Sequence, residues 1–201
     1  MKPKRTLPIQ HYLLLIIICS FTTAHAQKPH IGVKLGAAFS NISVKAAGQA
    51  VNTNTKISVT FGVFLHIPLK GRFSIRPSVE YVPKGTRSSD FPGYATVYGW
   101  GRNIPFYYID IPVNFLYEFP LKKNKVLVGS GPVISFLLNK NDYDSHTGND
   151  IGVNVMTGYE WPIGASICLN YTQGLKNIAP NKSYGGNMKN HYFGLTIGYW
   201  F

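Results

Sequence analysis

The sequence predicts an all-β protein, an eight-stranded antiparallel up-and-down transmembrane β-barrel. Three observations carry this. Apolar and polar residues alternate with a period of two in repeated segments. The connections between the segments run long, short, long, short. Charged residues are only 14% of the chain, against about 25% in ordinary soluble domains, so part of the surface faces something other than water.

The clearest strand covers residues 72–81. Phe73, Ile75, Pro77, Val79 and Tyr81 are apolar, and Arg72, Ser74, Arg76, Ser78 and Glu80 are polar. Successive side chains of a strand point to opposite faces, so one face is apolar and the other charged. Ile57, Val59, Phe61, Val63, Leu65 and Ile67 repeat the pattern against Lys56, Ser58, Thr60, Gly62, Phe64 and His66. Tyr107, Ile109, Ile111, Val113, Phe115 and Tyr117 alternate with Tyr108, Asp110, Pro112, Asn114 and Leu116. Weaker copies cover 31–39, 126–138, 151–159, 163–171 and 192–201. Each is near the 9–11 residues that a tilted strand needs to cross a bilayer.

The connections at 41–55, 82–105, 139–150 and 176–189 are long; those at 68–71, 118–125 and 160–162 are short. An up-and-down barrel places alternate connections on opposite rims, and outer-membrane barrels keep short turns on the periplasmic side. Aromatic residues fall near both rims. Phe73, Tyr117, Phe119, Tyr159, Trp161, Tyr199 and Phe201 mark the short-turn side, and Phe39, Tyr81, Tyr107, Phe136, Tyr171 and Phe193 the other. Cross-strand pairing in a soluble sheet also accounts for such rings, but a double outward band suits two headgroup interfaces.

The first residues differ from the rest. Lys2, Lys4 and Arg5 precede an apolar run from Tyr12 to Phe21, and Ala24 and Ala26 supply an A-x-A cleavage site. This order reads as a signal peptide over residues 1–26, with the mature barrel at 27–201 starting at Gln27. Lipidation at Cys19 is the rival reading, weakened by Ile18 where a small residue belongs. Cleavage leaves Cys168 alone, so no internal disulfide framework is expected. It also removes three of the cations behind the net charge of +12, leaving about +9, and an exported basic chain meets anionic lipid headgroups rather than nucleic acid.

Four segments carry a resemblance to a known family. They are Pro77-Ser78-Val79-Glu80-Tyr81-Val82-Pro83-Lys84-Gly85, Tyr108-Ile109-Asp110-Ile111-Pro112, Gly129-Ser130-Gly131-Pro132 and Tyr171-Thr172-Gln173-Gly174-Leu175-Lys176-Asn177-Ile178. In this order and spacing the chain resembles the PorT-like outer-membrane β-barrel family of Bacteroidetes, also described as porin family or outer membrane protein β-barrel domain. The resemblance implies a barrel in the outer membrane of a Gram-negative cell and no single activity. The terminal Phe201, after an alternating strand, resembles the signal read by the barrel assembly machinery, which would add the strand by edge pairing.

No catalytic, cofactor or metal site is assigned. Lys34, Lys56, Arg72, Arg76, Glu80 and Asp110 are expected inside, where eight strands leave just enough room for side chains. Charges there must pair, so an ion-pair network around Arg76, Glu80 and Asp110 is expected rather than a conduit. The acidic stretch from Asp142 to Asp150 invites a calcium reading, but His146 and Thr147 stand where a ligand and a glycine belong. His30, His66, His146 and His191 lack metal-site spacing. His146 and His191, with a Ser and an Asp at the extracellular rim, define the alternative, a lipid-modifying enzyme. The main expectation is a structural or binding role at the cell surface. The contact surface for a protein or glycan is Tyr94-Ala95-Thr96-Val97-Tyr98-Gly99-Trp100 in the longest connection, since Tyr and Trp anchor interfaces. Gly129 and Gly131 are read as relieving crowding inside the barrel.

Overall fold

A computed structural model describes residues 28–46, 49–51, 54–87, 104–138, 148–178 and 187–201. The expected leader, the 94–100 segment and residues 142–147 lie outside these. Among the described residues nine strands follow one another: β1 (His30–Ala46), β2 (Gln49–Val51), β3 (Asn54–Pro68), β4 (Phe73–Arg87), β5 (Ile104–Leu121), β6 (Asn124–Leu137), β7 (Asp150–Glu160), β8 (Ala165–Gly174) and β9 (Asn187–Trp200). β1 pairs antiparallel with β3, each strand from β3 onward pairs antiparallel with the next, and β9 pairs back with β1. That last pairing closes the ring. The barrel therefore has eight strands, as expected, with β2 a short hairpin partner at the far end of β1.

The register fixes the stagger. A path from Gly32 passes Phe64, Ser78, Val133, Gly152 and Gly174 and re-enters β1 at Ile42, about ten residues from its start. Such a shear tilts the strands and narrows the barrel, so inward side chains meet across it. Closure also leaves the eight-stranded ring without a sheet edge, the condition for a sheet to stand in hydrocarbon.

The alternation read from the sequence sets the two faces. Ile57, Val59, Phe61 and Val63 are all about half exposed or more, while Thr60, Phe64 and His66 are buried. In β7, Ile151, Val153 and Val155 point out and Gly152, Asn154 and Met156 point in. The outer band is apolar and the interior is largely polar. Rings pair along both rims: Phe73 with Tyr117, Tyr159 with Trp161 and Tyr199 with Phe201 on one, Tyr81 with Tyr107 and Tyr171 with Phe193 on the other.

Three short turns close the lower rim. Gly71 and Gly164 take positive φ there, and Lys122 does so without being glycine. Prolines stand inside strands that have no edge. The β4–β5 ladder skips the positions facing Pro112, and the β5–β6 ladder skips those facing Pro132, where a missing N–H cannot bond. Glycines mark close approach: a Cβ on Gly131 would collide with the Val113 carbonyl, and one on Gly129 with that of Phe115. The crowding is thus against the neighbouring strand's backbone.

Several strands outrun the sequence expectation. β1 continues past Phe39 to Ala46, β4 past Tyr81 to Arg87, and β9 begins at Asn187. β5 and β6 also run closer to their turn than expected, to Leu121 and from Asn124. In these ends the regular alternation fades although the ladder continues.

Candidate functional site

The interior holds three charged tiers. In the lowest, Arg76 Nη2 donates to Glu160 Oε2 at 2.7 Å and to His66 Nδ1 at 3.1 Å. A guanidinium only donates, so Nδ1 accepts and the ring proton sits on Nε2, which faces Glu118 Oε1 at 3.1 Å. Lys125 holds the other oxygen of Glu118 at 2.9 Å. The Arg76 guanidinium also lies 4.9 Å from the Phe64 ring centre. In the middle tier Lys34 pairs with Glu80 at 2.5 Å, and Ser78 donates to the same carboxylate at 2.7 Å. In the upper tier Lys84 donates to Asp110 at 2.8 Å and to Ser135 at 2.9 Å. Tyr192 Oη donates to the second Asp110 oxygen at 3.2 Å, and Lys84 stands 4.6 Å from the Tyr108 ring centre.

The expected inward charges are therefore mostly inside, but not as one network. Arg76, Glu80 and Asp110 do not pair with one another; each takes a separate partner. Lys56 is half-buried and donates to the Lys84 carbonyl at 3.1 Å. Arg72 is a correction: it stands exposed in the turn before β4, because the strand begins only at Phe73. Lys84, Glu118 and Glu160 were missed as interior partners, since the sequence reading put them in connections. Their signal was phase. Lys84 continues the inward series of Arg76, Ser78, Glu80 and Val82, and Glu160 that of Asn154 and Met156.

Little space remains between the described tiers. A cavity of about 20 Å³ lies between Lys34, Arg76, Glu80, Asn114, Asn154 and Asn170, room for one water molecule. Cys168 is a buried free thiol near Leu116 and Met156, away from any second cysteine among the described residues. Asp150, expected in a loop, opens β7 and turns inward; its Oδ1 accepts the backbone N–H groups of Ile151 and Lys176. The rest of the acidic stretch, with His146, lies outside the described residues.

On the outer surface, high on β1 and β9, Ser43 Oγ lies 3.2 Å from His191 Nδ1. This is the described part of the rim that the enzyme alternative invoked. At the other end, Phe201 is exposed and its N–H donates to the Ile31 carbonyl at 2.9 Å.

No curated protein matches the chain. Among solved structures, Neisserial surface protein A is similar at a TM-score of 0.50 and 12% identity, over 87% of this chain and 100% of that one. OprG of Pseudomonas aeruginosa is similar at 0.48 and 11%, over 89% and 98%. The outer membrane enzyme PagL is similar at 0.43 and 10%, over 86% and 99%. At these identities the first shows a shared fold and nothing more. The family model for the outer membrane protein beta-barrel domain matches residues 12–201. With the closed ring, apolar outer band and paired aromatic rims, that match makes this chain a member of the outer membrane protein β-barrel domain family, an integral barrel of the outer membrane.

Proposed function

We propose that the barrel is a non-catalytic anchor that presents a binding surface at the cell exterior. The observation that supports this is the raised rim: β1 and β4 run on past the aromatic residues Phe39 and Tyr81 as paired sheet. A barrel needs no such extension to span a bilayer. The packed interior leaves that rim as the accessible part of the molecule. The aromatic segment 94–100 connects β4 to β5 on this side and supplies the contact residues, for an extracellular protein or glycan. The four motif segments favour the PorT-like branch of the family. The leader is cleaved before Gln27, and Phe201 guides assembly through the barrel assembly machinery.

The test is crosslinking on intact cells with the full chain, comparing wild type with Tyr94→Ala, Tyr98→Ala and Trp100→Ala combined. A partner retained by wild type and lost from the variant supports the reading. Identical crosslinking profiles from two equally well-folded barrels remove it. N-terminal sequencing of the membrane-extracted protein reads out the Gln27 start.

The Ser43–His191 contact favours a second reading, hydrolysis or transfer of a lipid acyl ester at the outer leaflet. A histidine within reach of a hydroxyl is the first requirement of an activated nucleophile. If this reading holds, Ser43→Ala and His191→Ala each abolish a change in envelope lipid profile that wild type produces; unchanged profiles in the deletion strain eliminate it.

A further inference from the structure

The short-turn rim is divided into two unlike arcs. Lys28 precedes β1, Lys70 and Arg72 lie in the β3–β4 turn, and Lys122 and Lys123 form the β5–β6 turn; all five are exposed. These elements are consecutive on the ring, because β1 pairs with β3, β3 with β4, β4 with β5 and β5 with β6. The rim acids are already engaged. Glu118 is held by Lys125, with His66 beside its other oxygen, and Glu160 is held by Arg76. The opposite arc, from β7 to β9, carries Trp161, Ile163, Tyr199 and Phe201, all exposed.

We propose that the basic arc is a binding site for the headgroups of anionic phospholipids in the adjoining leaflet. The depth of the cations carries this. Three of the five stand next to the apolar band: Leu69 precedes Lys70, Phe73 follows Arg72, and Leu121 precedes Lys122, and all three apolar neighbours are exposed. A surface for a water-soluble partner has no use for exposed leucine and phenylalanine between its charges. A headgroup site does, because the apolar chains enter hydrocarbon while the cations reach the phosphates just outside it. Phosphodiester charge then meets a row of cations without competing acids, and each cation adds to the attraction. The aromatic arc lacks such charge and holds zwitterionic lipid no differently from anionic lipid.

The experiment uses the full chain in nanodiscs of mixed phosphatidylcholine and phosphatidylglycerol, with retained lipid counted by native mass spectrometry after gentle release. Both leaflets have the same composition, so the outcome does not depend on which way the rim faces. Wild type is expected to retain phosphatidylglycerol over phosphatidylcholine by about tenfold, falling as salt rises. Lys70→Gln, Arg72→Gln, Lys122→Gln and Lys123→Gln combined should bring the ratio close to one, while the corresponding Lys→Arg variant keeps it. Heat-modified gel mobility shows that each variant is folded; if the Gln variant does not fold, the pair Lys70→Gln and Lys123→Gln is read instead, with a partial loss expected. Equal enrichment in wild type and folded Gln variants overturns the proposal. So does loss of binding to peptidoglycan sacculi with lipid retention unchanged, which would assign the arc to the cell wall.

Discussion

At the scale of single residues, the charged interior turns on partners rather than on charge. Arg76 and Glu160 are both nearly inaccessible and 2.7 Å apart. Removing one partner strands the other in a medium that cannot solvate it, at a cost of about 3 kcal/mol or more. Glu160→Ala is therefore expected to lower the unfolding free energy by about that amount, measured by urea titration in lipid vesicles. Arg76→Met with Glu160→Met should cost less than Glu160→Ala alone, since no charge is left unpaired. If the double variant is the less stable, the pair contributes net stability and the reasoning fails. Inward polarity was legible in the sequence from the phase of Arg76, Glu80 and Asp110. The identity of the partners was not. Glu160 lies far along the chain from Arg76, and only ring closure brings the two together.

At the scale of the strand, one face belongs to lipid and the other to the charged interior. Val155, half exposed at the centre of β7, is expected to be among the least tolerant positions for charge. Val155→Arg should cost about 2–4 kcal/mol, whereas Ile163→Arg, in the turn beyond the band, should cost about 1 kcal/mol or less. Equal losses at the two positions, by the same urea titration, would contradict the assignment of the band. The alternation was readable wherever one face met hydrocarbon. It disappeared in the raised ends of β1, β4 and β9, because water on the outside removes the need for an apolar face there. Those ends are held by the ladder, which leaves no periodic trace.

At the scale of the whole molecule, the barrel is closed in two senses. β1–β9 pairing closes the ring, and the three tiers with their aromatic neighbours stand across the lumen with a cavity of about 20 Å³ between them. Reconstituted into planar bilayers, the protein is expected to give no stepwise conductance above that of the bare membrane. Steady single-channel steps, lost on heat unfolding, would show that the lumen opens. Topology has an independent readout. In a Cys168→Ser background, Val79→Cys and Ile111→Cys should resist a water-soluble maleimide in intact membranes and react once the barrel is unfolded. Rapid labelling of both before unfolding would turn the two faces around.

The sequence by itself determined the class, the approximate strand number, the outward face and the two aromatic rims. Those properties are local: a period of two, a turn length and the side chain's own transfer energy set them, and neighbours along the chain suffice to read them. Tertiary structure alone decided which charges meet, how far the sheet runs past the aromatic rim and how little space remains between the described tiers. These depend on a stagger of about ten residues accumulated around eight strands, and no segment carries that sum on its own.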